Sequence, residues 1–445
     1  MDSPIADFLR AYAASDTARF HMPGHKGYGP LGCEALDITE IQGADSLYEA
    51  AGIIAQSEQN AATLFGTGRT LYSTEGSSQC IRAMLHLALQ NRPQGSAPVI
   101  LAARNVHKAF VYAAALLDFT PVWLWPEGEE SLLQCPVSVA QVAAALDAME
   151  APPAAVYLTS PDYLGGMADI EAIAKVCHSH GTVLLVDNAH GAYLRFLRPS
   201  RHPMVQGADL CCDSAHKTLP VLTGGAYLHI NKNAPAAFAE KARQAMALFG
   251  STSPSYLTLA SLDLCNQTLA GDYPSRLAEM TEQLIQLRRR LTERGWRVEA
   301  ADPLRLTLAA PAGETGLRLA QRLREQAMEC EYADEEHLVL MLTPDNRPEE
   351  LERLEQTLGY APAPPKEKSP LPQARGEQAM PLRQALFAPQ ETVMANQSLG
   401  RICGAPTVSC PPAVPIAVSG ERIGPEALRL FAHYGVEWVD VVKEQ

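Results

Sequence analysis

Short apolar runs alternate with helix-like segments between residues 98 and 230, and this alternation restricts the fold more than any other feature of the chain. The runs PVILAA, TPVWLW, AAVYLT, TVLLVD, ADLCCD and GGAYLHI begin at residues 98, 120, 154, 182, 208 and 224. Helical patterns near 106–117 and 170–180 lie between runs. Continuous apolar strands separated by helices are typical of a mainly parallel sheet that is covered on both faces. The sequence therefore predicts an α/β fold.

The pattern changes beyond this region, and 445 residues are too many for one compact core. A long amphipathic helix at 273–294 opens a smaller α+β unit. The stretch after residue 360 is rich in proline and charge, as linkers are. We predict five parts: an N-terminal arm (1–50), a large domain (51–250), a small α+β domain (251–360), a linker (361–378) and a C-terminal domain (379–445).

Charge and hydropathy exclude several classes of protein. The formal net charge is −14, whereas a nucleic-acid-binding protein needs a basic face. Apolar stretches such as AFVYAAALLDF are shorter than the roughly 20 residues that span a bilayer, and no secretory signal opens the chain. The ten cysteines form no C-x-x-C pair, which indicates free thiols. We expect a cytoplasmic protein without a nucleic-acid or membrane partner.

Polar side chains follow the predicted strands at the point where each strand ends. His107 follows PVILAA, Asp162 and Tyr163 follow AAVYLT, Asp187 closes TVLLVD, and Lys217 follows ADLCCD. Ligands of open parallel sheets bind beyond the carboxyl ends of the strands. A carboxylate buried at the end of TVLLVD would also need a cation beside it. One sheet edge is therefore predicted to carry a ligand site.

The segment YSTEGSSQCIRAMLHLAL adds a candidate anion site to that edge. Residues 76–78, GSS, lie where a turn opens into a helix, and a helix N-terminus offers free N–H groups to a phosphate. Pyridoxal phosphate needs such a cradle, a lysine for a Schiff base and a carboxylate for its ring nitrogen. Lys217 and Asp187 supply the last two groups. Each residue alone has an ordinary explanation, but their joint occurrence in sheet order favours this cofactor.

Seven segments carry a family signature in the same order: RFHMPGHKG (19–27), STEGSS (73–78), RNVHKA (104–109), TSPDYLG (159–165), VDNAHG (186–191), SAHKTLP (214–220) and TSPSYLTLASLD (252–263). At these segments the chain resembles the Orn/Lys/Arg decarboxylases of the fold-type-I pyridoxal-phosphate enzymes, in their compact form without the extra N-terminal domain. CPPAVPIAVSGERI (410–423) matches the C-terminal domain of that family. The resemblance implies a mainly parallel seven-stranded sheet in the large domain, with a smaller α+β domain and a small C-terminal domain.

The resemblance also implies a role for each candidate residue. Lys217 would form the Schiff base, Asp187 would pair with the ring nitrogen, and His107 would stack on the ring. His190 would lie beside the phenolic oxygen of the ring or beside the substrate. The phosphate would be held by Gly76, Ser77, Ser78, Ser214 and His216. Enzymes of this fold have sites at a subunit interface, so a homodimer or a multiple of one is implied.

The implied reaction is metal-free α-decarboxylation of arginine, lysine or ornithine to the corresponding amine, in polyamine-related metabolism. The same residues serve an aminotransferase or an aldolase-type enzyme, and a pyridoxal-phosphate-binding regulator without activity also remains open. An acidic contact for the distal group of the substrate is sought among Glu40, Asp45 and Glu49, which equally suit a solvated face. His21 and His25 have zinc-like spacing, but the Pro-Gly pair between them argues against a helix and a metal site.

Two positions depart from the family pattern. Asn188 stands where the family usually has glutamate, which is expected to change contacts behind Asp187. The glycine pair 224–225 replaces a more polar stretch.

Overall fold

A seven-stranded sheet forms the centre of the molecule in the computed structural model, which describes residues 1–127, 132–299, 301–364, 372–408 and 414–444. Its strands are β1 (Arg69–Ser73), β2 (Val99–Ala103), β3 (Thr120–Leu124), β4 (Ala155–Thr159), β5 (Leu184–Asp187), β6 (Leu210–Asp213) and β7 (Ala226–Ile230). They lie in the order β1-β7-β6-β5-β4-β2-β3, and only β7 runs against the other strands. The mainly parallel seven-stranded sheet is confirmed.

Helices cover both faces of this sheet. They are α1 (Pro4–Ala14), α2 (Ile53–Phe65), α3 (Ser77–Gln90), α4 (Lys108–Leu117), α5 (Val139–Asp147), α6 (Ile170–Ser179), the single turn α7 (Ala215–Thr218), α8 (Ala236–Leu248), α9 (Tyr256–Ala270) and α10 (Tyr273–Glu293). Strand β4 illustrates the two-sided burial. Ala155 and Tyr157 pack with side chains of α3 and α4, whereas Val156 and Leu158 pack with those of α6. Successive side chains of a strand point to opposite faces, so an uninterrupted apolar run fills both cores.

A four-stranded antiparallel sheet follows α10. It contains β8 (Arg297–Val298), β9 (Arg305–Ala309), β10 (Tyr332–Ala333) and β11 (His337–Met341) in the order β10-β11-β9-β8, with α11 (Gly316–Glu325) and α12 (Pro348–Leu358). This arrangement is the α+β unit that the sequence indicates. The domain boundaries themselves stay a prediction, and residues 365–371 of the predicted linker lie outside the described residues.

Most of the C-terminal part of the chain packs against the α6 side of the large sheet, whereas Leu382 of its first helix packs with α3 and α4 on the other side. Its elements are α13 (Leu382–Phe387), β12 (Gln390–Met394), β13 (Thr407–Val408), β14 (Ala417–Val418), α14 (Pro425–His433) and β15 (Trp438–Val442). Val414, Ile416 and Leu430 share a buried cluster with Leu101 and Leu124 of the sheet. The start of the predicted CPPAVPIAVSGERI motif, residues 410–413, lies outside the described residues. Among the residues that the structure describes, we find no helix with the length and apolar character needed to span a membrane.

Candidate active site

One cavity of about 200 Å³ lies at the carboxyl ends of the parallel strands, and every residue predicted for the cofactor site lines it. These residues are Gly76, Ser77, Ser78, His107, Asp187, His190, Ser214, His216 and Lys217. Four further residues complete the lining: Asn105, Thr159, Tyr163 and Ala189. Asn105 lies inside the RNVHKA segment, so the strand-end rule points to it as well. The sheet topology thus brings together residues that are far apart in the sequence.

Asp187 ends strand β5 and is only 2% exposed. Among the described residues, its carboxylate accepts hydrogen bonds from the Tyr157 hydroxyl (3.2 Å), the Ala189 backbone N–H (3.1 Å) and the Cys212 thiol (3.5 Å). None of these partners is a cation. Because a buried carboxylate is destabilised unless a positive charge compensates it, this environment fits a protonated ring nitrogen delivered by a bound cofactor.

The N-terminus of α3 provides the predicted anion site. Gly76 precedes the helix with φ of +70°, a conformation that glycine tolerates, and no side chain caps the first turn. Its N–H donates to the carbonyl of Gly224 at 2.7 Å. A Cβ added at Gly224 would lie 2.8 Å from the Thr74 carbonyl oxygen, so the glycine permits this close approach. The first of the two glycines that depart from the family pattern therefore supports the cradle.

Side chains from β6 and α7 close the cradle from the other side. The Ser214 hydroxyl donates to the Ser77 hydroxyl at 2.8 Å, and His216 Nδ1 lies 3.0 Å from the Gly225 carbonyl, to which it donates. Hydroxyls, an imidazole and the uncapped helix end form a donor set that suits a phosphate group. The described residues therefore fit the phosphate of the predicted cofactor.

His107 both caps helix α4 and lines the cavity. Its Nδ1 accepts a hydrogen bond from the Ala109 backbone N–H at 3.2 Å. Burial lowers the pKa of His107, although the Asp187 carboxylate opposes this effect. The ring is therefore neutral near pH 7. His107 therefore caps a helix and also lines the cavity that is predicted to hold the cofactor.

Lys217 and His190 form a close pair inside the cavity. Lys217 Nζ lies 3.1 Å from His190 Nε2. Burial lowers the pKa of Lys217, although the carboxylates of Asp187 and Glu331 oppose it. Burial and the neighbouring Lys217 and Arg305 hold the pKa of His190 well below its usual value. An amine whose pKa is lowered beside a neutral imidazole is suited to react with a carbonyl.

Arg305 of the small sheet contacts His190, and Glu331, just before that sheet's strand β10, contacts Tyr163; neither residue was predicted from the sequence. Arg305 Nη2 donates to His190 Nδ1 at 3.0 Å, and its Nη1 donates to the carbonyl of Tyr163. The Tyr163 hydroxyl donates to Glu331 Oε1 at 3.1 Å. Arg305 opens β9 and Glu331 immediately precedes β10. No motif marks them, because their relation to the cavity depends on how the small sheet packs against the large one.

Comparison with known proteins identifies the family of the chain. Residues 3–310 match the family described as Orn/Lys/Arg decarboxylase, major domain. The chain belongs to the Orn/Lys/Arg decarboxylase family. It is therefore an amino-acid decarboxylase, a carboxy-lyase, and the resemblance seen in the sequence is confirmed.

Relatives and solved structures agree with this assignment. An arginine decarboxylase of Bacillus subtilis (strain 168) is 28% identical over 96% of this chain and 92% of its own length. The Francisella novicida lysine decarboxylase LdcF superposes with a TM-score of 0.81 over 99% of this chain and 81% of that chain, at 16% identity. A Sphingomonas wittichii serine palmitoyltransferase gives a TM-score of 0.56 over 80% of this chain and 84% of that chain, also at 16% identity. The fold is that of the fold-type-I pyridoxal-phosphate enzymes, as predicted.

Other residues singled out in the decarboxylase sequence lie away from the cavity. Asp162 is buried, its Oδ1 accepts the Gly166 N–H at 2.6 Å, and burial raises its pKa to about 6. Asp45 caps the start of α2 by accepting the N–H groups of Gly52 (2.8 Å) and Ile54 (3.0 Å). The side chains of Glu40 and Glu49 do not line the cavity either. The acidic segment therefore offers this cavity no contact for a basic substrate from within the described chain.

The two histidines with zinc-like spacing lie in a loop, as the intervening Pro-Gly pair indicates. His21 Nε2 lies 2.6 Å from the Tyr12 hydroxyl, and His25 Nε2 lies 3.2 Å from Asp37 Oδ2. The two imidazoles therefore have separate hydrogen-bond partners.

Asn188 stabilises a buried hydrogen-bond cluster behind the cavity. Its amide donates to Asp213 Oδ1 at 2.7 Å, and Asp213 Oδ2 accepts from Nε2 of His202 (2.9 Å) and of His229 (3.1 Å). His202, Cys211 and Asp213 also hold potential metal-ligand atoms within 4.8 Å of one another. Hydrogen bonds already satisfy the carboxylate of this set. Asn188 therefore bonds Asp213 behind the cavity, and the expected effect of its departure from the family pattern stays a prediction.

Proposed function

We propose that this decarboxylase removes the α-carboxyl group of arginine, lysine or ornithine with the help of pyridoxal phosphate. The observation that carries the proposal is a buried carboxylate, Asp187, that shares one cavity with Lys217 and an uncapped helix end. A lysine, a buried acid and a phosphate cradle are the groups that this cofactor requires. Membership of the family supports the same conclusion.

The residues of the chain divide the chemical work. Pyridoxal phosphate, when bound, supplies the electron sink that stabilises the carbanion left by loss of CO2. Asp187 would hold the proton on the ring nitrogen of the bound cofactor, and His107 would contact its ring. Lys217 would hold the cofactor covalently through its amine. Lys217 Nζ and His190 Nε2 lie 3.1 Å apart, so either group can deliver the proton that the α-carbon takes up.

A basic substrate is supported by Glu331. Its carboxylate is exposed, accepts a hydrogen bond from the hydroxyl of Tyr163, which lines the cavity, and influences Lys217 through its charge. A guanidinium or ammonium group at the distal end of the substrate would find a negative partner there. The names of the relatives, arginine decarboxylase and lysine decarboxylase, favour the same substrate class.

A homodimer is the proposed assembly, and the described cysteines suit a cytoplasmic setting because they are free thiols. The N-terminal loop exposes apolar side chains to an unusual degree, with Phe20 at 96% and Leu31 at 82%. Tyr28, in the same loop, is also largely exposed. Such a cluster is stabilised when a second subunit covers it. An active monomer in light scattering would contradict this part of the proposal.

The decisive experiment combines a substrate panel with chemical trapping. The protein is incubated with added pyridoxal phosphate and with arginine, lysine or ornithine, and CO2 and amine are both measured. Borohydride reduction and peptide mapping should place the cofactor on Lys217, and Lys217→Ala should abolish both label and CO2. Lys175→Ala is the matched control, because Lys175 is an exposed helix residue paired with Glu171.

Three outcomes would overturn the proposal. A label on another lysine refutes the role of Lys217, and keto-acid formation without CO2 indicates an aminotransferase. A bound cofactor without turnover on any of the three amino acids indicates a regulator.

A further inference from the structure

Arg305 occupies an unusual position for a cation. Its side chain is 1% exposed, and no carboxylate in the described part of the chain lies within ion-pair distance of it, although its charge acts on the buried Asp162. Its Nη groups donate instead to His190 Nδ1 (3.0 Å) and to the carbonyl of Tyr163, and its charged carbon lies 6.0 Å from the centre of the Tyr163 ring. A buried guanidinium directed at an imidazole nitrogen requires an explanation, because desolvation of an unpaired charge is costly.

The contact fixes which nitrogen of His190 carries a proton. A guanidinium has donors only and stays protonated in proteins. His190 Nδ1 must therefore accept, and the neutral ring carries its one proton on Nε2. That Nε2–H faces Lys217 Nζ at 3.1 Å, so the lysine must accept through its lone pair. The hydrogen bonds therefore run in one direction: Arg305 donates to His190, and His190 donates to an unprotonated Lys217.

We infer that Arg305 is a positioning residue: it locks His190 in the Nε2–H tautomer, so that His190 donates a hydrogen bond to Lys217 and keeps its amine in the free-base form. The inference extends the proposed function, because an unprotonated Lys217 is what covalent attachment of the cofactor requires. It assigns Arg305 no contact with the reacting atoms. Its effect passes through the imidazole ring.

The charged groups around His190 and Lys217 either favour or disfavour a protonated lysine. Those that face His190 or Lys217 are Asp187 on β5, His107 at the start of α4, His216 on α7, Arg305 on β9 and Glu331 before β10. The carboxylates of Asp187 and Glu331 favour a protonated lysine, whereas Arg305 disfavours it. Arg305 therefore acts both through its charge and through its hydrogen bond, and the two effects must be separated by experiment.

The test uses the cofactor-free full-length protein labelled with nitrogen-15 histidine. The ring-nitrogen chemical shifts distinguish an Nε2–H imidazole from an Nδ1–H imidazole and from an imidazolium. The His190 signals are assigned among the 12 histidines by their loss in His190→Gln. We expect the wild-type ring to show the Nε2–H pattern, with Nδ1 unprotonated. An Nδ1–H or doubly protonated His190 would overturn the inference without any variant.

Three variants separate the mechanism from simple structural support. Arg305→Met should abolish the fixed Nε2–H pattern, whereas Arg305→Lys should preserve it, because an ammonium group is also a donor without an acceptor. Arg288→Met is the matched control, since Arg288 donates to the carbonyls of Asp302 and Arg305 and leaves the partner of His190 Nδ1 in place. A fixed Nε2–H pattern in Arg305→Met, or its loss in Arg288→Met, refutes the role of Arg305.

A second measurement follows the rate at which added pyridoxal phosphate becomes attached to Lys217 as a function of pH. Arg305→Met should move the midpoint of this profile to higher pH by about one unit, because a neighbouring cation is lost and the amine holds its proton longer. Arg305→Lys should restore the wild-type midpoint, and an unmoved midpoint in Arg305→Met would contradict the inference. The nitrogen-15 result does not depend on turnover, so its failure is distinguishable from failure of the proposed decarboxylation.

Discussion

Glu421→Gln removes one partner of a buried ion pair that joins the C-terminal part of the chain to the large sheet. The two oxygens of Glu421 accept from Nη1 and Nη2 of Arg104 at 2.7 and 2.8 Å, and Glu421 Oε2 also accepts the Val418 N–H at 3.0 Å. The side chains are 0% and 2% exposed for Arg104 and Glu421. The rings of Trp123 and Trp125 lie on the guanidinium at 4.8 and 4.6 Å. Glutamine keeps the shape of the side chain but leaves the cation uncompensated.

The expected loss is large because both groups are desolvated. Removing one partner of a buried pair destabilises a protein by about 3–5 kcal/mol, whereas an exposed pair contributes about 1 kcal/mol or less. The bidentate geometry and near-complete burial of Arg104 and Glu421 place this pair in the first class. Arg104 also directly precedes Asn105, which lines the cavity, so we expect turnover to fall as well.

Urea unfolding followed by tryptophan fluorescence provides the assay, because two of the four tryptophans flank Arg104. Glu391→Gln is the control: Glu391 pairs with Arg401 at 2.6 Å in the same part of the chain, but its side chain is 42% exposed. The double variant Arg104→Met/Glu421→Met should recover much of the stability, since it leaves no buried charge unpaired. A loss in Glu421→Gln no larger than that of the control would refute the reasoning.

Three further predictions concern pH, the cofactor and the substrate. Burial opposes protonation of His337, but hydrogen bonds with Asp334 and Glu299 raise its pKa to about 9. Protonated His337 should therefore add at most about 3 kcal/mol to the free energy of unfolding. This contribution should be complete below the unfolded pKa of about 6.5 and lost as the pH rises through 9. Urea titrations at several pH values should show this loss in the wild-type protein but not in His337→Gln. Asp187→Ala should remain folded by circular dichroism while kcat falls by orders of magnitude, and near-normal turnover would mean that the ring nitrogen has another partner. Glu331→Gln should raise KM for the preferred basic amino acid about tenfold with a smaller effect on kcat, and an unchanged KM would place the distal group elsewhere.

The residues at the strand ends could be predicted from the sequence because their positions depend on local pattern and sheet topology. Apolar runs define the parallel strands, and the carboxyl ends of such strands converge at one edge. Asp187 closes its own run and Lys217 lies four residues after the end of the next one, so the rule places them together without knowledge of packing. The proposed phosphate cradle at 76–78 follows from the same logic, since a turn before a helix exposes N–H groups wherever the helix lies.

Only the tertiary structure shows which strand-end side chains line the cavity and which distant residues contact them. The strand-end rule selects Asp162 as readily as Asp187, but only Asp187 lines the cavity. Asp45 has the composition expected of a substrate contact, yet it caps a helix. Arg305 contacts His190, and Glu331 contacts Tyr163, although the two residues lie 88 and 114 positions beyond Lys217 in the sequence. Contacts of this kind depend on how two packed units are oriented, and that orientation arises from many weak long-range contacts that leave no periodic pattern in the chain.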